Sequence, residues 1–333
     1  MNVQNSILKP KGPASLLAAI PYLLGFMPLN SLVLVAFNSN NNQVVVAIRI
    51  DLAELAQAQL VENAMEALRK AKENSSIDGV LTALYAESNW PQYRPTINEL
   101  LKAQNEVCEI SEALWVEGDR YGSLLCEDIE CWPIEGFALP SDTSLEKLQL
   151  ISQGKSALAS KEEIEQYFIS KPENPKLVKA ITKLEKSKNR AKNSNWNENL
   201  YNRGYVNLLN QSEDLNELAQ AEIILISKEI SLRDKLISEV LREIQISQEP
   251  LNLLHSLKTR LLPLIQNAPK TEAKAVLTIL GIWLWQLGES VWAQAAVKQA
   301  LNFDASYRLG LLTMSAIKSG LPPWKFADCF GPI

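Results

Sequence analysis

Between Ala14 and Phe37 the chain reads ASLLAAIPYLLGFMPLNSLVLVAF, without one charged residue. Such a run suits a membrane span, a secretory signal or the interior of a folded domain. The three differ in where they tolerate breakers. A spanning helix needs roughly 20 apolar residues in unbroken helix. Pro21 and Pro28 interrupt this run, and Asn30-Ser31 follow; proline removes an amide donor and clashes with the preceding turn. Lys9 and Lys11 offer the basic start of a signal, but no small-x-small cleavage site follows the apolar stretch. A folded domain places every breaker at an element boundary. SLLAAIPYLLG becomes a buried helix closed by Gly25, SLVLVAF a buried strand, Asn38–Gln43 a turn, and VVVAIRID the partner strand of a hairpin. The expectation is a soluble, cytoplasmic protein with no membrane contact.

Beyond the hairpin the periods alternate. AELAQAQLVENAMEALRKAKE has helical spacing, DGVLTALYAES reads as a buried strand, and RPTINELLKAQNEV as a helix. EALWVEGDRYGSLLC folds back at Gly118-Asp119 as a hairpin, and short helices are expected near Thr143–Ser152 and Lys161–Phe168. Residues 1–170 are therefore an α/β domain with a mixed sheet. Residues 171–202 are polar and Lys-rich and read as a linker or a solvated helix. Residues 203–333 carry helical periodicity throughout and read as an all-α domain.

Composition removes several chemistries. The 333-residue chain has 33 Lys plus Arg against 38 Asp plus Glu, so no general attraction to nucleic acid is expected. From Lys171 to Lys192 eight basic residues meet two Glu, but without an aromatic platform such a run reads as a solvated face. A single histidine, His255, leaves no material for multi-histidine metal sites, and any triad would need that one residue. Thirteen glycines contain no phosphate-binding loop and no nucleophile elbow. No cofactor is expected.

The candidate site residues are few. Arg49 and Asp51 alternate onto one side of a strand and suit a polar ligand, although Asp51-x-x-Glu54 also reads as a helix N-cap. Arg94, Arg120 and Ser123 flank the same half of the chain and, with Arg49, suit an anion. Cys126 and Cys131 are spaced C-x4-C with acids between, a weak metal or redox pair without an obvious completing set. Arg233 and Asp234 are adjacent on a helix, where neighbouring side chains diverge, so each is expected to brace another element.

Several stretches together resemble a known family. They are LLAAIPYLLGFMPLNSLVLV (Leu16–Val35), RIDL (Arg49–Leu52), GDRYGSLLC with CWPIEG (Gly118–Gly136), LRD (Leu232–Asp234), LWQLGESVWAQAAVKQAL (Leu284–Leu301) and GLPPW (Gly320–Trp324). In this order they resemble the bacterial domain of unknown function 4192. The family usually has two adjacent cysteines before the proline where this chain has Cys131-Trp132-Pro133. The resemblance implies a cytoplasmic protein and supplies no activity. Separately, Gly281, Ala293 and Ala300 sit where a tetratricopeptide-like helical hairpin needs close packing, with Gly288 at its turn. A binding or adaptor module is expected, its helical half engaging a protein partner. The alternative is a histidine-independent hydrolase or transferase with an arginine–carboxylate site in the α/β domain.

Overall fold

The computed structural model describes residues 12–38, 43–74, 77–140, 148, 151, 157–190, 195–210, 214–319, 321 and 323–330. They form two compact units: Gly12–Lys161 with Ser319 and Leu321, and Glu162–Lys318 with Pro323–Phe330. The first is a mixed sheet with helices on both faces, and the second is all helix, as the sequence periods require. The helix expected near Thr143–Ser152 falls largely outside the described residues.

In the first unit the uncharged opening run becomes α1 (Pro13–Leu24), closed by Gly25 at φ 83°, and β1 (Ser31–Asn38). A left-handed residue after the last turn favours glycine, which has no Cβ to clash. β1 pairs antiparallel with β2 (Gln43–Asp51) on one side and with β3 (Gly79–Ala86) on the other. β3 is parallel to β4 (Ile110–Glu117), and β5 (Arg120–Ser123) and β6 (Phe137–Ala138) complete the order β2-β1-β3-β4-β5-β6. Helices α2 (Ala58–Asn74) and α3 (Arg94–Val107) cover one face. Met65, Leu68, Ile97 and Leu100 pack there on Leu32, Leu34, Leu84 and Trp115. α1 lies against the opposite face, where Ala19 packs on Val44. Strands covered on both faces cannot alternate polar and apolar residues, which is why β1 and β3 read as continuous apolar runs.

Pro21 lies inside α1 rather than at its boundary. Its missing amide leaves the Leu17 carbonyl without a helical donor. The Tyr85 hydroxyl, fully buried on β3, donates to that carbonyl at 3.4 Å, and burial pushes the phenol pKa up. Tyr85→Phe should therefore lower stability by about 1 kcal/mol, as expected for a buried acceptor left unpaired. An unchanged urea midpoint would show that the carbonyl does not need the phenol.

The second unit begins with α4 (Lys161–Gln166). The Lys-rich stretch is helical in its described part. α5 (Pro175–Arg190) buries Leu177 and Ile181, four residues apart, and α6 (Trp196–Leu209) buries Leu200, Tyr201, Gly204 and Leu208. α7 (Glu217–Lys228), capped by the Asn216 side chain on the amides of Leu218 and Ala219, is apolar nearly all round and runs through the core. α5 and α6 pack on it, as does α8 (Ile230–Ile246); α9 (Pro250–Asn267) packs on α10 (Lys270–Gln286), which itself packs on α7. α10 and α11 (Ser290–Phe303) form a tight hairpin turning at Gly288, φ 82°. A Cβ at Gly281 would lie 2.6 Å from Val297 Cγ2 and 3.2 Å from the Ala293 carbonyl, so only glycine permits this approach. α12 (Arg308–Lys318) stacks on both helices and α13 (Pro323–Ala327) follows.

Candidate functional site

β3 and β4 run parallel and end at the same edge, the side on which open α/β sheets gather ligands. The chain leaves β3 through Asn89, whose φ of 53° is a left-handed conformation that asparagine tolerates. The Glu117 carboxylate, at the end of β4, accepts the Asn89 amide at 2.7 Å and the Trp90 amide at 3.4 Å. Trp90 then stacks on Trp115, ring centroids 4.9 Å apart and ring planes nearly parallel. Arg94, opening α3, lies 5.8 Å over the Trp90 ring and donates to Glu127 at 2.6 Å. That bond reaches into the segment after β5, which holds Cys126 and Cys131.

The segment from Leu124 to Gly136 is tied down along its length. The Ser123 hydroxyl accepts the amides of Leu125 and Cys126, each at 3.0 Å. The Asp128 carboxylate accepts the Glu130 amide at 2.9 Å. Its carbonyl accepts Cys131 and Trp132 at 3.1 and 2.8 Å. Arg120 donates to the Gly136 carbonyl at 2.8 Å and to that of Glu135 at 3.4 Å. Gly136, at φ 71°, then turns the chain into β6. Tyr121, Trp132 and Phe137 form an aromatic triad with centroids 5.4–6.1 Å apart. What faces solvent is apolar and acidic. Leu125, Ile129 (65% exposed), Ile134 (83% exposed) and Phe137 stand out among Glu127, Asp128, Glu130 and Glu135, all exposed.

Both loop cysteines are free, Cys126 half-buried and Cys131 exposed. The Cys131 thiol donates to Asp128 Oδ2 at 3.8 Å, and the Asp128 charge, more than burial, holds its pKa up. A raised pKa leaves only a small thiolate fraction at neutral pH, so Cys131 would react slowly rather than as an activated nucleophile. Among the described residues no group of three His, Cys, Asp or Glu side chains is placed to hold a metal ion.

The structure thus brings Arg94, Arg120, Ser123, Cys126 and Cys131 to one loop. Arg49 and Asp51 are not part of it. They sit on β2, four strand steps from β5 in the sheet order, roughly 19 Å at about 4.8 Å per step. Arg49 pairs directly with Asp51 and lies 5.3 Å over the Phe26 ring. Asp51 departs from the cap expectation, since it makes no side-chain cap bond to the short 3-10 turn Leu52–Glu54, and α2 starts only at Ala58. Its carboxylate is held back along the strand by Arg49. Arg233 and Asp234 pair with each other at 2.7–2.8 Å, and the Arg233 charge also bears on the Tyr307 phenol just before α12. Their Cβ atoms diverge, but the arginine side chain is long enough to fold back over one residue. His255 lies exposed on α9. Glu117, Glu127, Asp128, Trp90, Trp132 and Gly136 do as much for the loop as any candidate. The sequence hint was the glycine and proline punctuation of CWPIEG.

The family model described as domain of unknown function (DUF4192) matches residues 13–324. No curated protein and no solved structure matches the chain.

Proposed function

The chain belongs to the DUF4192 family, and from that premise we propose that it is a binding module of the adaptor type. In this role the α/β unit takes a basic, apolar segment of a partner protein on its Leu125–Phe137 loop. The observation that carries the proposal is the outward face of that loop: Leu125, Ile129, Ile134 and Phe137 exposed among four acids. A loop already immobilised by Arg94, Arg120, Ser123 and Asp128 has little conformational freedom left to lose on binding. Acids and aromatic faces together favour lysine and arginine, by charge complementarity and by cation–π contact with rings such as Trp132 and Phe137. The helical unit offers a second surface. α12 keeps Leu311 and Leu312 about half exposed.

An arginine–carboxylate hydrolase or transferase has less support. Arg49, Arg94 and Arg120 are each engaged by a protein acceptor, and Arg49 stands strands away from the others. Selection of a random peptide library on the immobilised full chain tests the proposal. Enriched peptides should combine Lys or Arg with Leu, Ile or Phe, and Ile134→Asp should weaken their binding at least tenfold by fluorescence anisotropy. Peptides without basic residues, or binding unchanged by that substitution, would remove the loop from the role.

A further inference from the structure

Cys126 and Cys131 are both free on a loop whose path brings them together. The amides of Cys131 and Trp132 both bond the Asp128 carbonyl, so the chain makes one tight turn between the two cysteines. The Ser123 hydroxyl fixes the Cys126 amide on the incoming side. The returning Cys131 thiol comes within hydrogen-bonding reach of the Cys126 thiol. Two thiols on either side of one tight turn suit disulfide closure, in which the Cβ atoms stand about 4 Å apart. The other two cysteines are placed differently, Cys108 buried in the sheet core and Cys329 exposed in the helical unit.

We propose that Cys126 and Cys131 are a reversible dithiol–disulfide pair, a modification site for low-molecular-weight disulfides such as glutathione disulfide. The exposed Cys131 attacks first as its thiolate. Its sulfur forms a bond to one glutathione sulfur, the S–S bond of the oxidant breaks, and one glutathione thiolate leaves and takes up the proton. Cys126 then attacks the Cys131 sulfur, displaces the second glutathione as thiol, and closes the protein disulfide. Two protein thiols are oxidised and one glutathione disulfide is reduced to two thiols. The closed form fixes the turn covalently and removes the Cys131 thiol from Asp128. This pair stands independently of the binding role proposed above, since it is read from the thiols alone.

The groups acting on the Cys131 thiol are the Asp128 carboxylate, which holds its pKa up, and the Cys126 thiol. Asp128→Asn removes that charge and keeps an acceptor oxygen for the Glu130 amide. It should raise the thiolate fraction and speed the first step at least twofold at neutral pH. The test uses the full chain carrying Cys108→Ser and Cys329→Ser, equilibrated with glutathione and glutathione disulfide. The expected product is a monomer that has lost two titratable thiols and 2 Da, with a Cys126–Cys131 link in its digest, restored by dithiothreitol. Adding Cys126→Ser should stop the reaction at a glutathione adduct on Cys131. A stable glutathione adduct with Cys126 present, intermolecular dimers only, or two thiols still titratable would each overturn the pair. The same digest of the wild-type chain keeps the test decisive if the serine variants fold poorly.

Discussion

Arg260→Leu is expected to lower the unfolding free energy by about 3 kcal/mol, read as a clear fall in the urea midpoint. α6 ends at Asn210, and the carbonyls of a last helical turn have no partner within the helix. Arg260, on α9 and 9% exposed, supplies them from another element. One of its terminal nitrogens donates to the Asn210 carbonyl and the other to that of Asn207 at 2.7 Å. The positive charge also faces the negative end of the α6 dipole. Leucine would keep most of the buried volume and leave both carbonyls dry. Bonds from a charged donor are worth about 1.5–3 kcal/mol each, and relief from burying the guanidinium returns part of that sum. Arg260→Lys should recover only part of the loss, because one ammonium cannot reproduce the fork. A leucine variant with the wild-type midpoint would show that α6 is closed by something other than Arg260.

Gly136→Ala is the second large effect, again about 3 kcal/mol. A Cβ there meets the Tyr121 carbonyl and lies 2.7 Å from the Trp115 ring, at a backbone φ of 71°. The left-handed conformation costs an alanine about 1–2 kcal/mol, and overpacking a filled site adds about 1–3. Gly118→Ala separates the two contributions. Gly118 is also left-handed, at φ 59°, but has nothing within 4 Å of an added Cβ. It should show only the conformational part, about 1 kcal/mol. Equal losses at the two glycines, measured by urea denaturation, would mean that the Trp115 contact can give way. Because Trp115 also stacks on Trp90, the Gly136 variant should alter the near-ultraviolet circular dichroism as well.

The parts of the fold legible in the sequence are those held by local chemistry. Gly25 closes α1 in a left-handed conformation that the uncharged run alone suggests, and Gly118 turns β4 into β5 in the same way. Pro21 was harder to place, because what makes it tolerable inside a helix is a tyrosine 64 residues further on, at Tyr85. Asp51 shows the same limit. A cap pattern in four residues is overridden by an arginine two positions back on the strand. For the loop, Ser123, Cys126 and Cys131 are neighbours in sequence, so their proximity was visible. Arg94 arrives from 33 residues away and Arg120 acts on backbone carbonyls that carry no residue signature. For α5 the sequence leaves a linker and a solvated helix both open, since two buried residues, Leu177 and Ile181, make a stripe too narrow to decide among lysines.

The strand order also sets an order of assembly. β1 with β2 and β4 with β5 are antiparallel pairs of strands adjacent in sequence, and such pairs close in about 1–10 μs. β3 belongs to neither pair, yet it is the strand that joins them, antiparallel to β1 and parallel to β4. Its pairing of Tyr85 with Ser31 spans more than fifty residues and its seam with β4 waits on the α3 crossover, so these contacts form late. Until then GVLTALYA is an uncharged, β-prone segment with open edges, the kind most prone to pair with another chain. The strand best sheltered in the finished unit is the one left longest in the open while that unit forms.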